Sequence, residues 1–122
     1  MSVDDFLAAL DHPRFDDISR VRGALLKREP NVLETIKWNA PNYAFDGEDR
    51  VTFRLQPGDN FQIVLHRGAA KRSAEGFVFD DPHGLVAWAT VDRGVVKVPV
   101  GVGTDVELTD LIDLLSRWLR VS

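Results

Sequence analysis

Aromatic and amide side chains cluster between Ile36 and Phe45, where a simple strand would need only apolar residues. Trp38, Asn39 and Tyr43 supply an indole, a carboxamide and a phenol. Aromatic rings can form the walls of a small-molecule site, and an amide can fix the orientation of its ligand. The alternative is structural, with Trp38 packed beneath helices and Asn39 bonded to the backbone of a turn. Both interpretations place this stretch at the entry to a sheet.

Two arginines and a histidine form a second candidate site. If the strands around residues 51–55 and 61–65 pair with their apolar residues on one face, Arg50 lies beside His66, and Arg67 follows directly. Guanidinium groups bind carboxylates or phosphates, and an imidazole can also act as an acid or a base. The alternative is a solvated sheet face on which Arg50 pairs with Glu48 or Asp49. The sequence leaves both interpretations open.

The most metal-like cluster is formed by Asp80, Asp81 and His83. Carboxylates and imidazole suit iron or zinc, but neither the His-Glu-x-x-His pattern nor a calcium loop occurs in the sequence. Asp81 also begins the segment Asp81-Pro82-His83-Gly84, whose residues are typical of a type I turn. We therefore expect no tight metal site in this cluster and no resident cofactor.

The composition is that of a globular domain without cysteine chemistry. The chain has 122 residues, 44% of them hydrophobic, and a net charge of −4. It has no cysteine, which excludes disulfides, thiolate metal sites and cysteine nucleophiles. The acidic balance gives no general attraction to nucleic acid, and no apolar run approaches the roughly 20 residues of a membrane helix. We expect a cytoplasmic protein with neither nucleic-acid nor membrane partners.

Helical spacing dominates the two ends of the chain. Ser2 with Asp5 predicts a helix start, and a second helix is predicted over about residues 14–28. Asn31 with Glu34 predicts one further short helical turn before the sheet. Thr104 with Glu107 fits a capping box at the start of a last helix that extends to about residue 119.

Strand spacing dominates the middle. Alternation predicts a hairpin of residues 51–55 and 61–65 in which Val51 faces Leu65 and Phe53 faces Ile63. A short strand is predicted at residues 77–79, and a second hairpin at residues 85–91 and 94–100, although residues 85–91 could also be helical. The whole chain, residues 1–122, reads as one α+β domain. We expect a two-layer sandwich in which the N-terminal helices and the C-terminal helix cover one face of an antiparallel sheet of about five or six strands.

Several segments resemble one known family. They are Ile36-Lys37-Trp38-Asn39-Ala40-Pro41, Leu65-His66-Arg67-Gly68 and Gly76-Phe77-Val78-Phe79-Asp80-Asp81-Pro82, with weaker similarity over nearly the whole chain. The combination resembles the YdhG-like family, a domain of unknown function. The resemblance implies a small α+β domain, and some relatives are described as frataxin-like iron chaperones. Frataxins hold iron weakly on an acidic helix face, so the acidic residues to consider here are Asp4, Asp5, Asp11, Asp16 and Asp17. The alternative is structural, since capping and helix-dipole effects also explain Asp5, Asp16 and Asp17.

Three functions follow as expectations. The first is a non-enzymatic binding module that holds an anionic small molecule or a partner segment on or beside the sheet, through Trp38, Asn39, Tyr43, Arg50, His66 and Arg67. The second is iron delivery through exposed carboxylates, and the third is a protein–protein adaptor. No catalytic triad, phosphate-binding loop or nucleophile elbow is present, so we name no reaction.

Overall fold

The computed structural model describes residues 2–68, 73–102 and 105–121, with only the backbone described at residue 105. Three helices and six strands follow one another along the chain. They are α1 (Val3–Ala8), α2 (Phe15–Arg28), β1 (Leu33–Lys37), β2 (Ala40–Phe45), β3 (Glu48–Arg54), β4 (Gln62–Leu65), β5 (Ala87–Thr90), β6 (Arg93–Lys97) and α3 (Asp105–Leu119). Within the described ranges, no helix is long and apolar enough to cross a membrane.

The six strands form one antiparallel sheet in the order β1-β2-β3-β4-β6-β5. Hairpins connect β1 to β2, β2 to β3, β3 to β4 and β5 to β6, and this accounts for most of the order. The predicted register between β3 and β4 is confirmed, since Val51 pairs with Leu65 and Phe53 pairs with Ile63. The chain then leaves β4 by a long connection and returns with β6 beside it, so that β5 becomes an edge strand.

Two hairpin turns use left-handed backbone. Asp46 and Gly47, between β2 and β3, have φ values of 52° and 80°. Asp-Gly is a preferred pair for a two-residue hairpin turn because both of its positions need positive φ. Trp38 and Asn39, between β1 and β2, also have positive φ, at 50° and 60°. A tryptophan in this region is uncommon because its Cβ crowds the backbone.

The helices cover one face of the sheet, as expected for an α+β sandwich. The core contains Val51, Phe53, Ile63 and Leu65 from the sheet together with Ile18, Val21, Leu25, Leu115 and Trp118 from α2 and α3. The indole Nε1–H of Trp118 donates to the carbonyl oxygens of both Arg50 and His66, at 3.0 Å each. These two hydrogen bonds fix α3 to the sheet where β3 pairs with β4.

The structure confirms one predicted helix cap and one predicted turn. The Ser2 hydroxyl oxygen accepts from the backbone N–H of Asp5 at 3.0 Å, as predicted for the first helix start. The backbone N–H of Gly84 donates to the Asp81 carbonyl at 3.1 Å, which closes the predicted turn. The Asp81 carboxylate also accepts from two further backbone N–H groups, so its role here is structural. The predicted capping box begins at Thr104, which lies outside the described residues.

Three predicted elements are wrong or too long. Residues 77–79 are not a strand, because Phe77 and Phe79 pack against Trp118 while Val78 lies 87% exposed between them. A turn does form before β1, closed by a hydrogen bond from the backbone N–H of Val32 to the Glu29 carbonyl at 3.2 Å. The predicted cap by Asn31 and Glu34 is wrong, because β1 begins at Leu33 and Glu34 pairs with β2. The segment 85–91 is a strand and not a helix, but the strand covers only Ala87–Thr90.

Candidate functional site

The candidate site lies on the open face of the sheet, which we define as the face opposite the helices. Cross-strand pairing runs from Asn42 to Thr52, then to Val64 and Val95. Because directly paired residues share a face, these four side chains form one row across β2, β3, β4 and β6. The neighbouring row consists of Arg54, Gln62 and Lys97.

A buried polar network supports this face from within. The Asn42 side chain is fully buried, and its NH2 group donates to Asp49 at 2.9 Å and to Thr35 at 3.3 Å. Its carbonyl oxygen accepts from the Thr52 hydroxyl at 2.7 Å. The Lys37 ammonium contacts the other carboxylate oxygen of Asp49. Burial acts to raise the pKa of Asp49, but the hydrogen bonds from Lys37 and Asn42 outweigh it and hold that pKa below its ordinary value.

The same network fixes the protonation state of His66. Thr52 has one hydroxyl hydrogen, which it donates to Asn42, so its oxygen accepts from Nε2–H of His66 at 2.9 Å. The backbone N–H of Gly68 can only donate, and it lies 3.2 Å from Nδ1 of His66. His66 is therefore the neutral Nε2–H tautomer, and both of its ring nitrogens are engaged. Burial lowers the pKa of His66, and the positive charge of Arg93 lowers it further.

A cavity of about 260 Å³ lies on this face above Thr52 and Val64. The hairpin turn at Trp38 and Asn39 forms one wall of it, and Arg54 and Arg93 also line it. The Trp38 side chain is 82% exposed, so the turn presents an indole to solvent and not to the core. Left-handed backbone at a non-glycine residue costs about 1–3 kcal/mol and concentrates at functional sites.

A second cavity of about 420 Å³ continues across the same face toward β5. Arg54 lines both cavities, and Gln62, Val95 and Lys97 line the second. Among the described residues, the lining of the two cavities includes Arg54, Arg93 and Lys97 and no carboxylate. The lining of these two cavities is therefore cationic, although the chain carries a net charge of −4 and Lys97 also lines a separate cavity with Glu107 and Asp110.

The structure places two of the six predicted site residues at the first cavity and the other four elsewhere. Trp38 and Asn39 line it. His66 lies behind Thr52 and is only 9% exposed. Tyr43 lies on the opposite, helix-covered face, where it is fully buried and donates its hydroxyl hydrogen to Glu34 at 2.8 Å.

The two predicted arginines do not reach the cavity. Arg50 lies beside His66 as predicted, since the backbone N–H of His66 donates to the Arg50 carbonyl at 3.0 Å. Arg50 is only 4% exposed, however, and does not line the cavity. Arg67 donates to the Asp92 carboxylate at 3.1 Å, and its guanidinium lies 4.4 Å from the centre of the Phe77 ring. Sequence reasoning missed Arg54 and Arg93 in their place. Alternation along β3 put Arg54 on the right face, but no local pattern showed that Arg93 joins it.

Metal-binding geometry is not found in the described part of the chain. No group of three or more histidine and acidic residues there is arranged to hold a metal ion. Asp17 is buried and paired with Arg14 at 2.7 Å, and Asp4 pairs with Arg22 at 2.8 Å. The carboxylates considered for iron are thus partly occupied by structural ion pairs.

No family model, curated protein or solved structure matches this chain. The similarity to the YdhG-like family remains an expectation based on the residue pattern.

Proposed function

We propose that this chain is a non-catalytic binding domain that holds an anionic small molecule on the open face of its sheet. The observation that carries the proposal is the charge of the two cavities. Arg54, Arg93 and Lys97 line them without any carboxylate among the described lining residues, in a chain whose net charge is −4. Guanidinium and ammonium groups gathered around a concave surface are suited to carboxylates and phosphates.

The position of Trp38 supports a binding role. The indole is exposed on a turn whose backbone conformation disfavours tryptophan, so neither burial nor turn preference explains the residue. An exposed indole at a cavity wall supplies flat apolar area that a ligand can cover. A ligand with both an anionic group and an apolar part fits this pairing of Trp38 with Arg54.

The state of His66 supports binding in preference to acid–base catalysis. His66 lies behind Thr52, and both of its ring nitrogens already make hydrogen bonds within the protein. A general acid or base needs a nitrogen directed toward the substrate. His66 instead serves to hold Thr52, and through it Asn42, in place beneath the cavity.

The test is thermal unfolding in the presence of carboxylate and phosphate metabolites, with ferrous iron included under anaerobic conditions. A ligand at 100 times its dissociation constant stabilises the folded protein by about 2.7 kcal/mol, which corresponds to several degrees in Tm. Arg54→Ala should abolish the shift because Arg54 lines both cavities. Arg20→Ala is the matched control, since it removes an exposed arginine from α2, on the other side of the molecule.

Two outcomes would oppose the proposal. An anion-induced shift that survives Arg54→Ala would place binding elsewhere on the protein. A shift with ferrous iron alone, retained in Arg54→Ala, would favour the iron-chaperone expectation. If none of these ligands shifts Tm, the adaptor expectation becomes the stronger hypothesis, because the edge strand β5 is exposed along its whole length.

A further inference from the structure

The cations on the open face are not evenly spread, and their spacing follows from the strand register. Arg54, Gln62 and Lys97 are paired across three adjacent strands, β3, β4 and β6. Two interstrand spacings separate the Cα atoms of Arg54 and Lys97 by about 10 Å. Both side chains are long enough to reach a single anion above Gln62, whose carboxamide oxygen accepts a hydrogen bond from the Arg54 guanidinium at 3.4 Å.

Arg93 stands apart from that pair. It lies on β6, four residues before Lys97, on the same face of the strand. At about 3.4 Å per residue, the two Cα atoms are about 14 Å apart. Arg93 lines the first cavity but not the second, and Lys97 lines the second but not the first.

The surface between these cationic positions is apolar. Val95 lies midway between Arg93 and Lys97, and it pairs with Val64 on β4. Trp38 closes one end of the first cavity. An occupant would therefore meet positive charge at two places and apolar side chains between them.

Resting on the proposed function, we infer that the ligand is an elongated small molecule with an apolar body and two anionic groups. One anionic group lies between Arg54 and Lys97, and the second lies at Arg93, with the apolar body over Val64 and Val95. The cavities of about 260 and 420 Å³ lie near the lower end of the range for small-molecule sites, about 300–1,000 Å³, so the ligand must be small. A carboxylate at each end satisfies both cationic positions, whereas a monoanion satisfies only one.

The experiment compares octanoate with octanedioate by isothermal titration calorimetry on the full chain. These probes share an apolar chain and differ in the second carboxylate. Octanedioate should bind about two- to fivefold more tightly, the upper part of the range for an exposed ion pair. Arg93→Ala should remove this advantage and leave octanoate affinity unchanged, while Lys97→Ala should weaken both ligands.

Controls separate this inference from the proposed function. Lys27→Ala removes an exposed lysine from α2 and should change neither affinity. Glu107 shares a separate cavity with Lys97, so Glu107→Gln tests whether this nearby carboxylate affects binding, and it should leave both affinities unchanged. Succinate is too short to reach both positions, so its affinity should not depend on Arg93.

The results that would overturn the inference leave the proposed function standing. Equal affinities for octanoate and octanedioate would do so, as would Arg93→Ala weakening both ligands equally. So would failure of all dicarboxylates while a monoanion still binds through Arg54. Loss of the dependence on Arg54 would instead refute the proposed function itself.

Discussion

Thr52 joins Asn42 to His66 through a single hydroxyl group, so Thr52→Val removes two hydrogen bonds with little change in shape. The hydroxyl donates to Asn42 at 2.7 Å and accepts from His66 at 2.9 Å. Asn42 is fully buried and His66 is 9% exposed, so water does not readily replace the lost partner. Valine would leave a buried carbonyl oxygen and a buried ring N–H without partners.

The expected loss follows from those two groups. A buried polar group left without a partner costs about 1–3 kcal/mol, so two of them, with some relaxation, should lower the free energy of unfolding by about 3 kcal/mol. For a domain of this size, that corresponds to roughly 10 °C in Tm. Urea unfolding, followed by tryptophan fluorescence and far-UV circular dichroism, would measure the change at constant temperature.

Thr35→Val is the matched control within the same network. Thr35 accepts from Asn42 at 3.3 Å, but Asn42 keeps its shorter bond to Asp49, and Thr35 is only half-buried. We expect this variant to lose less than about 1 kcal/mol. Thr52→Ser should stay closer to wild type than Thr52→Val because it keeps the hydroxyl. Equal costs for the two valine variants would refute the account of the network.

Three further predictions concern pH, packing and the turn. Because burial lowers the pKa of His66, the contribution of His66 to the free energy of unfolding should fall as pH drops below about 6.5 and level off below the lowered pKa. His66→Gln should flatten that decline, and identical pH profiles of stability for the variant and the wild type would contradict the lowered pKa of His66. Gly94→Ala should cost about 1–3 kcal/mol in urea unfolding, because its Cβ would lie 2.3 Å from Val86, whereas Gly23→Ala meets no atom within 4 Å and should stabilise α2 by about 0.5–1 kcal/mol. Trp38→Asn should leave the free energy of unfolding unchanged or raise it by up to about 1 kcal/mol while weakening anion binding, since asparagine tolerates positive φ; a loss above about 1 kcal/mol would contradict the strain argument.

The parts of the fold that follow local rules were predictable from the sequence. Alternation gave the face of every residue in the hairpin of β3 and β4, and that hairpin has the predicted register. Asp46-Gly47 is an equally local signal and would have located the turn between β2 and β3. Trp38-Asn39 gave no such signal, because propensity opposes a tryptophan at positive φ. The strand predicted at residues 77–79 was wrong because Phe77 and Phe79 pack against Trp118 of α3 and the segment does not pair with a strand.

The candidate site was only partly predictable because it depends on a distant strand pairing. Trp38 and Asn39 were recognisable by residue type, and both line the first cavity. Arg93 reaches that cavity because β6 pairs with β4, about 30 residues away along the chain, and no local pattern specifies that pairing. Arg67 was an equally reasonable prediction, but Asp92 and Phe77 hold it elsewhere.

The open face therefore divides into a buried support and an exposed rim, and the two should respond differently to mutation. Thr52, Asn42 and His66 are buried, and the Thr52 hydroxyl is hydrogen-bonded to both of the other side chains, so substitutions there should act mainly on the free energy of unfolding. Arg54 and Arg93 are exposed, and removing them should act mainly on anion affinity, because exposed charges contribute little to folding. A rim variant that unfolds the protein, or a support variant that loses only affinity, would show that the division is wrong.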